Sequence, residues 1–292
     1  MTASYADLLP GPALLFCPAD RPDRFVKAAT AADGVILDLE DGLRAADREA
    51  ARANLREVQL DPERTIVRIN PAGTPDHDLD LVALARTPYR TVMLAKAERA
   101  ADVRQLAALF NTGGDPDAPA LRVIVLCETA LGVLNAPELA AEPATAALMW
   151  GAEDLVVSLG GRSSRHPDGG YRDVARHARS RVLLASAAHD VPAIDAVHLD
   201  IADLDGLAVE AADAAASGFA ATACIHPSQV PVVRAAYRPT PAEIQRATAL
   251  LEAARGAAGV FAFEGQMVDE PILNQARRLL QAAEHGSLGN PA

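Results

Sequence analysis

ALLFCPADRPDR (13–24) is the stretch on which the fold reading turns. Its first half is apolar on both faces, as a strand covered from two sides must be. Its second half is a charged, proline-bearing turn. An open doubly wound sheet usually carries a glycine-rich turn after its first strand, and PADRPDR holds no glycine. Seven further apolar runs follow at steady intervals: GVILDLE (34–40), TIVRIN (65–70), TVMLAK (91–96), RVIVLCE (122–128), AALMWG (146–151), IDAVHLD (194–200) and ATACIH (221–226). Alanine-rich segments of helical period lie between them, among them RFVKAATAA (24–32), ADREAARANLREV (46–58) and YRDVARHARSRVLLASAA (171–188). Strand–helix alternation repeated eight times implies a parallel (β/α)₈ TIM barrel, an α/β fold. The doubly wound sheet is the runner-up.

The strand signal stops after residue 237, so residues 1–237 are read as the barrel and 238–292 as a C-terminal helical extension. RPTPAEIQRATALLEAARGAAG (238–259) reads as a helix started by proline and ended by glycine. FAFEGQMVDEPILNQARRLLQAA (261–283) reads as a short extended piece, a turn and a second amphipathic helix. A lid, an oligomer arm and packing over the open end of the barrel all suit such an extension.

The 292 residues are 50% apolar and carry a formal charge of −12. A chain of this length buries enough surface to need no disulfide or metal staple. The acidic balance speaks against nucleic acid as a partner, whose electrostatic footprint is basic. No apolar run reaches the ~20 residues of a membrane helix, and the opening MTASYADLLPGP lacks the form of a secretory signal. No membrane partner is expected. Cys17, Cys127 and Cys224 lie far apart inside apolar stretches, which reads as buried reduced thiols in a cytoplasmic protein.

Polar residues gather where the strands end, the edge at which parallel barrels place their chemistry. These are Asp38, Glu40 and Asp41 after strand two, Arg68 and Asn70 after three, and Lys96 and Glu98 after four. Glu128 follows strand five, Glu153 and Asp154 follow six, and His226 follows eight. Unpaired buried carboxylates are costly, and several together repel unless a cation sits among them. The set therefore predicts a divalent metal, and all-oxygen ligation suits Mg²⁺, or Mn²⁺ as a substitute. Glu128 and Asp154 are the expected metal pair. The competing reading makes these acids ion-pair partners of Arg68 and Lys96. Arg68 beside a metal suits a small 2-oxo acid, since a guanidinium takes a carboxylate bidentately; its other reading is a partner for Glu40 or Asp41. Phe16, Arg21 and Lys27 around the first turn form a weak candidate site for a nucleotide-like carrier. The glycine-rich loop GGRSSRHPDGGYRD (160–173) is an unspecific phosphate candidate, and His226 reads as a structural hydrogen-bonding residue.

LLFCPADRPDRFVKA (14–28), VILDLEDGL (35–43), VRIN (67–70), MLAKAE (93–98), ETALGVLNAPELA (128–140), WGAEDL (150–155), IHPSQ (225–229) and EGQMVDEP (264–271) occur in this order along nearly the whole chain. Together they resemble the citrate lyase β-subunit-like (CitE-like) branch of the HpcH/HpaI aldolase family, near the malyl-CoA and citramalyl-CoA lyases. The resemblance implies a TIM barrel assembled as a homotrimer, with Mg²⁺ and a CoA thioester as substrate. It implies Glu128 and Asp154 as metal ligands, Arg68 as the holder of the oxo-acid carboxylate, and Phe16, Arg21 and Lys27 along the CoA. Glu153 joins Arg68, Glu128 and Asp154 in the implied substrate-binding set. Asp269 of the QMVDE segment would be the acid/base carried by a C-terminal lid into a neighbouring subunit's site, and the implied catalytic set is Asp269, Arg68 and Glu40. Ala95 departs from the family, which often has proline before this lysine.

The implied reaction is reversible C–C cleavage of a 3-hydroxyacyl-CoA such as citramalyl-CoA, malyl-CoA or 3-hydroxy-3-methylglutaryl-CoA. It yields acetyl-CoA or propionyl-CoA and a 2-oxo or related oxo acid. Two alternatives stay open: malate synthase or thioesterase chemistry on the same thioesters, and a citrate lyase β component acting on an acyl-carrier-protein thioester.

Overall fold

The computed structural model describes residues 9–111, 119–257 and 259–288. Eight strands close into a barrel in sequence order: β1 Ala13–Pro18, β2 Gly34–Asp38, β3 Thr65–Ile69, β4 Thr91–Leu94, β5 Arg122–Cys127, β6 Thr145–Trp150, β7 Ala193–Asp195 and β8 Ala221–Cys224. All neighbours run parallel, and β1 pairs with β8 to complete the ring. Closure decides against the open sheet. Leu14, Ile36, Ile66, Met93, Ile124, Met149, Ile194 and Ala223, one from each strand, form a single buried cluster. Their strand neighbours, such as Val35 and Leu37, are also fully buried. Burial on both faces explains why these strands read as continuous apolar runs and not as alternation.

The strand expected over 194–200 is cut short at Asp195, whose carboxylate accepts the N–H of Ala196 at 3.0 Å. The same carboxylate takes the Trp150 indole N–H and a two-pronged contact from Arg179. The side chain thus claims the next backbone donor. Helices Phe25–Ala31, Arg48–Glu57 and Asp173–Ala188 fall where helical period predicted them. The helix Arg48–Glu57 is tied by charge to the helix Pro75–Leu84: Arg52 bonds both Asp76 and the fully buried Asp80, and Asp80 holds the Asn70 backbone N–H and side chain.

The chain divides into two compact units, Met1–Val233 and Arg234–Ala292, inside the helix Val230–Tyr237. In the second unit the helix Pro241–Ala254 starts with proline and a Thr240–Glu243 capping box, and Gly256 follows its end. β9 Phe261–Phe263 and β10 Gln266–Val268 make an antiparallel hairpin. Its two turn residues, Glu264 and Gly265, both have positive φ, the geometry that matches strand twist in two-residue hairpins. Val268 packs with Ala247, Leu250 and Ala276 of the flanking helices. Among the described residues no helix is long and apolar enough to cross a membrane.

Candidate active site

The carboxyl ends of β2 to β6 bring one set of charged side chains together. Asp38 and Arg68 are register partners on adjacent strands. Arg68 donates from Nε and Nη2 to the two oxygens of Asp38, at 2.7 and 2.6 Å. Its Nη1 lies 3.2 Å from Glu40 Oε2. The guanidinium also stacks over the Phe16 ring, 4.8 Å from its centre. Burial alone would loosen the Arg68 proton, but the Asp38 and Glu40 charges hold it more firmly than usual. Asp38 is itself nearly sealed, and it accepts the backbone N–H groups of Glu40 and Gly42.

The bidentate edge of Arg68, expected for an oxo acid, is thus taken by Asp38. Its position one strand away and in register makes Asp38 the nearest fork-shaped acceptor. The competing reading of Arg68 as a partner for Glu40 or Asp41 holds for Glu40, as a second contact.

Lys96 occupies the turn after β4 with φ of +49°, a left-handed conformation that costs a side-chain-bearing residue about 1–2 kcal/mol. There its N–H donates to Glu128 Oε1 at 3.1 Å. Its ammonium bonds Glu40 and, at 2.7 Å, Asp41, and lies 3.2 Å from Asp154 Oδ1. Burial works against the Lys96 charge, and the bonds to Asp41 and Glu40 more than restore it, so the proton is held above the ordinary lysine range. The expected ion pairs of the acid cluster with Arg68 and Lys96 are therefore present.

Glu128 directly follows β5, with only 3% of its surface exposed. Burial, then the nearby Asp154 charge, pushes its carboxyl up to about 8, against a pull from Arg68. Asp154 stands in the first turn of the helix Ala152–Ser158. Gly151, just before that helix, leaves room for Glu128: a Cβ there would sit 2.7 Å from Glu128 Oε2.

This pair fits a hard dication. One sealed carboxylate resists ionisation beside a second, and a divalent charge would reverse that. Among the described residues no three His, Cys, Asp or Glu side chains form a ready cage. The fit is of the magnesium type, with one or two protein carboxylates and the remaining ligands from water and substrate.

The other expected residues are placed less centrally. Glu153 accepts the Ser164 hydroxyl at 2.6 Å. Arg21 pairs with Asp23 on the surface, and Lys27 is exposed on the first helix. Asp269 lies in the second unit between β10 and the helix Glu270–Leu288, and its carbonyl accepts the Leu273 N–H. His226 caps the short helix Pro227–Gln229, the structural role expected of it.

The 160–173 loop is built as protein structure. Arg165 bonds Glu210 and Gly169 and stacks over Tyr171 at 3.8 Å, and Tyr171 meets the Trp150 edge at 5.2 Å. Its phosphate-cradle reading loses its best cation to Glu210. The sequence placed Asp38 and Lys96 at the strand ends and offered Lys96 as an ion-pair partner of the acids; the specific Asp38–Arg68 fork was not expected, and its signal is strand register.

The fold and this acidic edge define a class, the TIM-barrel carbon–carbon lyases. The C-C bond lyase family of the TIM-barrel fold matches residues 173–286, and the HpcH/HpaI aldolase/citrate lyase family matches residues 13–227. The chain belongs to the HpcH/HpaI aldolase/citrate lyase family and lies in its citrate lyase β-subunit-like branch. It is 58% identical over 273 residues to a citrate lyase subunit beta-like protein of Mycobacterium tuberculosis (strain CDC 1551 / Oshkosh), covering 94% of this chain and 96% of that one. A (3S)-malyl-CoA thioesterase of Cereibacter sphaeroides (strain ATCC 17029 / ATH 2.4.9) is 34% identical, with 93% and 94% covered. The crystal structure of protein CitE from Mycobacterium tuberculosis in complex with magnesium, acetoacetate and coenzyme A superposes with a TM-score of 0.88. It is 58% identical, with 94% of this chain and 98% of that chain covered.

Proposed function

We propose that this protein is a Mg²⁺-dependent lyase that reversibly cleaves the C–C bond of a 3-hydroxyacyl-CoA, giving a shorter acyl-CoA and an oxo acid. Citramalyl-CoA, malyl-CoA and 3-hydroxy-3-methylglutaryl-CoA are the candidate substrates. The observation that carries the reading is the sealed Glu128 beside Asp154 at the carboxyl edge of the barrel, with Arg68 fixed next to them. The magnesium, acetoacetate and coenzyme A bound by the Mycobacterium tuberculosis protein support it.

Glu128 and Asp154 would hold the ion, which supplies Lewis-acid polarisation of substrate oxygens and charge neutralisation. Arg68 meets the oxo-acid carboxylate through Nη1 once Glu40 Oε2, 3.2 Å away, releases it, while Asp38 keeps the other edge and so fixes its plane. Lys96 holds the buried Glu40 and the exposed Asp41, the two acids proposed to orient water. As the bond breaks, its electron pair passes onto the thioester enolate, and the hydroxyl gives its proton to solvent water and becomes a carbonyl. Asp269 is the proposed acid that protonates the enolate carbon, and the base that removes that proton in the condensation direction. Phe16, Arg21 and Lys27 are the proposed contacts to CoA. The working assembly is a homotrimer, and the three buried cysteines suit the cytoplasm.

The thioesterase relative favours one further reading, hydrolysis of the same thioesters. Purified protein incubated with each hydroxyacyl-CoA, with Mg²⁺ or with chelator, decides between them by mass spectrometry. Mg²⁺-dependent appearance of acetyl-CoA or propionyl-CoA together with an oxo acid supports the lyase. Free CoA supports hydrolysis. Turnover of an acyl-carrier-protein thioester alone would mark a citrate lyase component.

A further inference from the structure

Lys96 touches every acid of the cluster that Arg68 leaves uncovered. Its N–H meets Glu128, and its ammonium meets Glu40, Asp41 and Asp154. The three ammonium contacts are not equal. Those to Glu40 and Asp41 have hydrogen-bond geometry, whereas Asp154 is met only as an ion pair at 3.2 Å. The left-handed turn is what makes both uses of the residue compatible. It points the N–H at β5 and returns the long stem to the acids after β2. Glycine would adopt this turn more easily, but it would bring no cation.

Five carboxyl groups, Asp38, Glu40, Asp41, Glu128 and Asp154, face two fixed cations, Arg68 and Lys96, so three acids stay uncompensated if all ionise. The Arg68 charge is spent on Asp38 and Glu40. Lys96 is the remaining cation of the cluster, and 26% of its side chain is exposed. It therefore has room to retreat.

We infer that Lys96 is the resident counter-cation of the metal-free site and competes with the divalent ion for Asp154. Its ammonium keeps Asp154 in place until the ion arrives, then gives up this loosest contact and stays on Glu40 and Asp41. By holding those two acids it also confines the ion to Glu128 and Asp154. The inference rests on the reading of Glu128 and Asp154 as the metal pair.

The test is Mn²⁺ binding by metal-stripped protein, followed by calorimetry and by the electron spin resonance of free Mn²⁺. Wild type, Lys96→Met, Lys96→Arg and Glu128→Gln are compared, with melting temperatures before and after saturation. Lys96→Met is expected to bind Mn²⁺ at least about tenfold more tightly, to melt lower without metal, and to gain more from Mn²⁺ than wild type. Lys96→Arg keeps the charge and is expected to stay within about threefold of wild type. Unchanged or weaker Mn²⁺ binding by Lys96→Met overturns the inference, and leaves the metal pair standing if Glu128→Gln has lost binding. Equal binding by wild type and Glu128→Gln, or none by either, overturns the pair and the inference with it. Should Lys96→Met fold only with metal, the chelator concentration that strips half the ion replaces the titration. A higher concentration than for wild type supports the inference, and an equal or lower one overturns it.

Discussion

Arg68 and Asp38 face each other as register partners on adjacent strands, joined by two hydrogen bonds of 2.7 and 2.6 Å. Both are almost out of water, at 12% and 4% side-chain exposure. Removing one partner of a buried pair strands the other charge, at a cost of about 3–5 kcal/mol. Asp38→Ala is expected to lose that much in urea unfolding, and to raise KM for the oxo acid because Arg68 loses its fixed plane. Asp41, 55% exposed in its pair with Lys96, serves as the contrast. Asp41→Ala is expected to cost under about 1 kcal/mol, the range of surface pairs. Equal losses would contradict the burial argument.

Glu128 gives the metal-free protein a pH dependence of definite sign. Its carboxyl titrates near 8 in the folded chain, raised by burial and by Asp154 from an ordinary 4.5. Between those values the folded state keeps a proton that the unfolded state has released, so stability falls as pH rises. The contribution is complete below about 4.5 and is lost as pH climbs through about 8. Melting of chelator-treated protein at pH 5.5 and 8.5 is expected to show a larger fall for wild type than for Glu128→Gln. Identical falls would place the buried proton elsewhere.

Gly151 offers a steric test that leaves every charge in place. The methyl of Gly151→Ala would lie 2.7 Å from Glu128 Oε2 and 2.9 Å from its Cβ, too close for the carboxylate to keep its position. Mg²⁺ affinity is expected to drop on the order of 10- to 100-fold, the scale seen when metal ligands lose their support, while the chain still melts cooperatively. Calorimetric titration with Mg²⁺ reads this directly. Unaltered affinity would mean that Glu128 does not bind from its present position.

The barrel was legible because strands covered on both faces must be apolar throughout, as VIL (35–37) and VIVLC (123–127) are. Where β7 ends was not legible, since Asp195 stops the ladder through its own carboxylate and its Trp150 and Arg179 partners lie far away in sequence. The convergence of acids could be read from strand ends alone. What each acid touches could be read only in part: ion pairs with Arg68 and Lys96 were expected, but Asp38 meets Arg68 through parallel register and Lys96 reaches the cluster through a left-handed turn. Asp269 had no signal of its own in composition or spacing. Its role came from resemblance to the family and stays a proposal.

That role separates from metal binding in one variant. Asp269→Asn keeps the shape and removes the exchangeable proton, so turnover is expected to fall by about 10²- to 10⁴-fold, the usual weight of general acid–base catalysis. Mg²⁺ affinity and melting temperature are expected to match wild type. Rapid-quench assays beside Mg²⁺ titrations make the comparison, and full turnover would remove Asp269 from the mechanism.

In the proposed mechanism Glu128 and Asp154 together hold one divalent ion at the carboxyl edge of the barrel. Counting bound Mn²⁺ per chain by electron spin resonance, in wild type, Glu128→Gln and Asp154→Asn, tests it most directly. One ion per chain is expected in wild type, and less than a tenth of that occupancy in either variant at the same free Mn²⁺. Full occupancy in both folded variants, or none in wild type even with an oxo acid present, would contradict it.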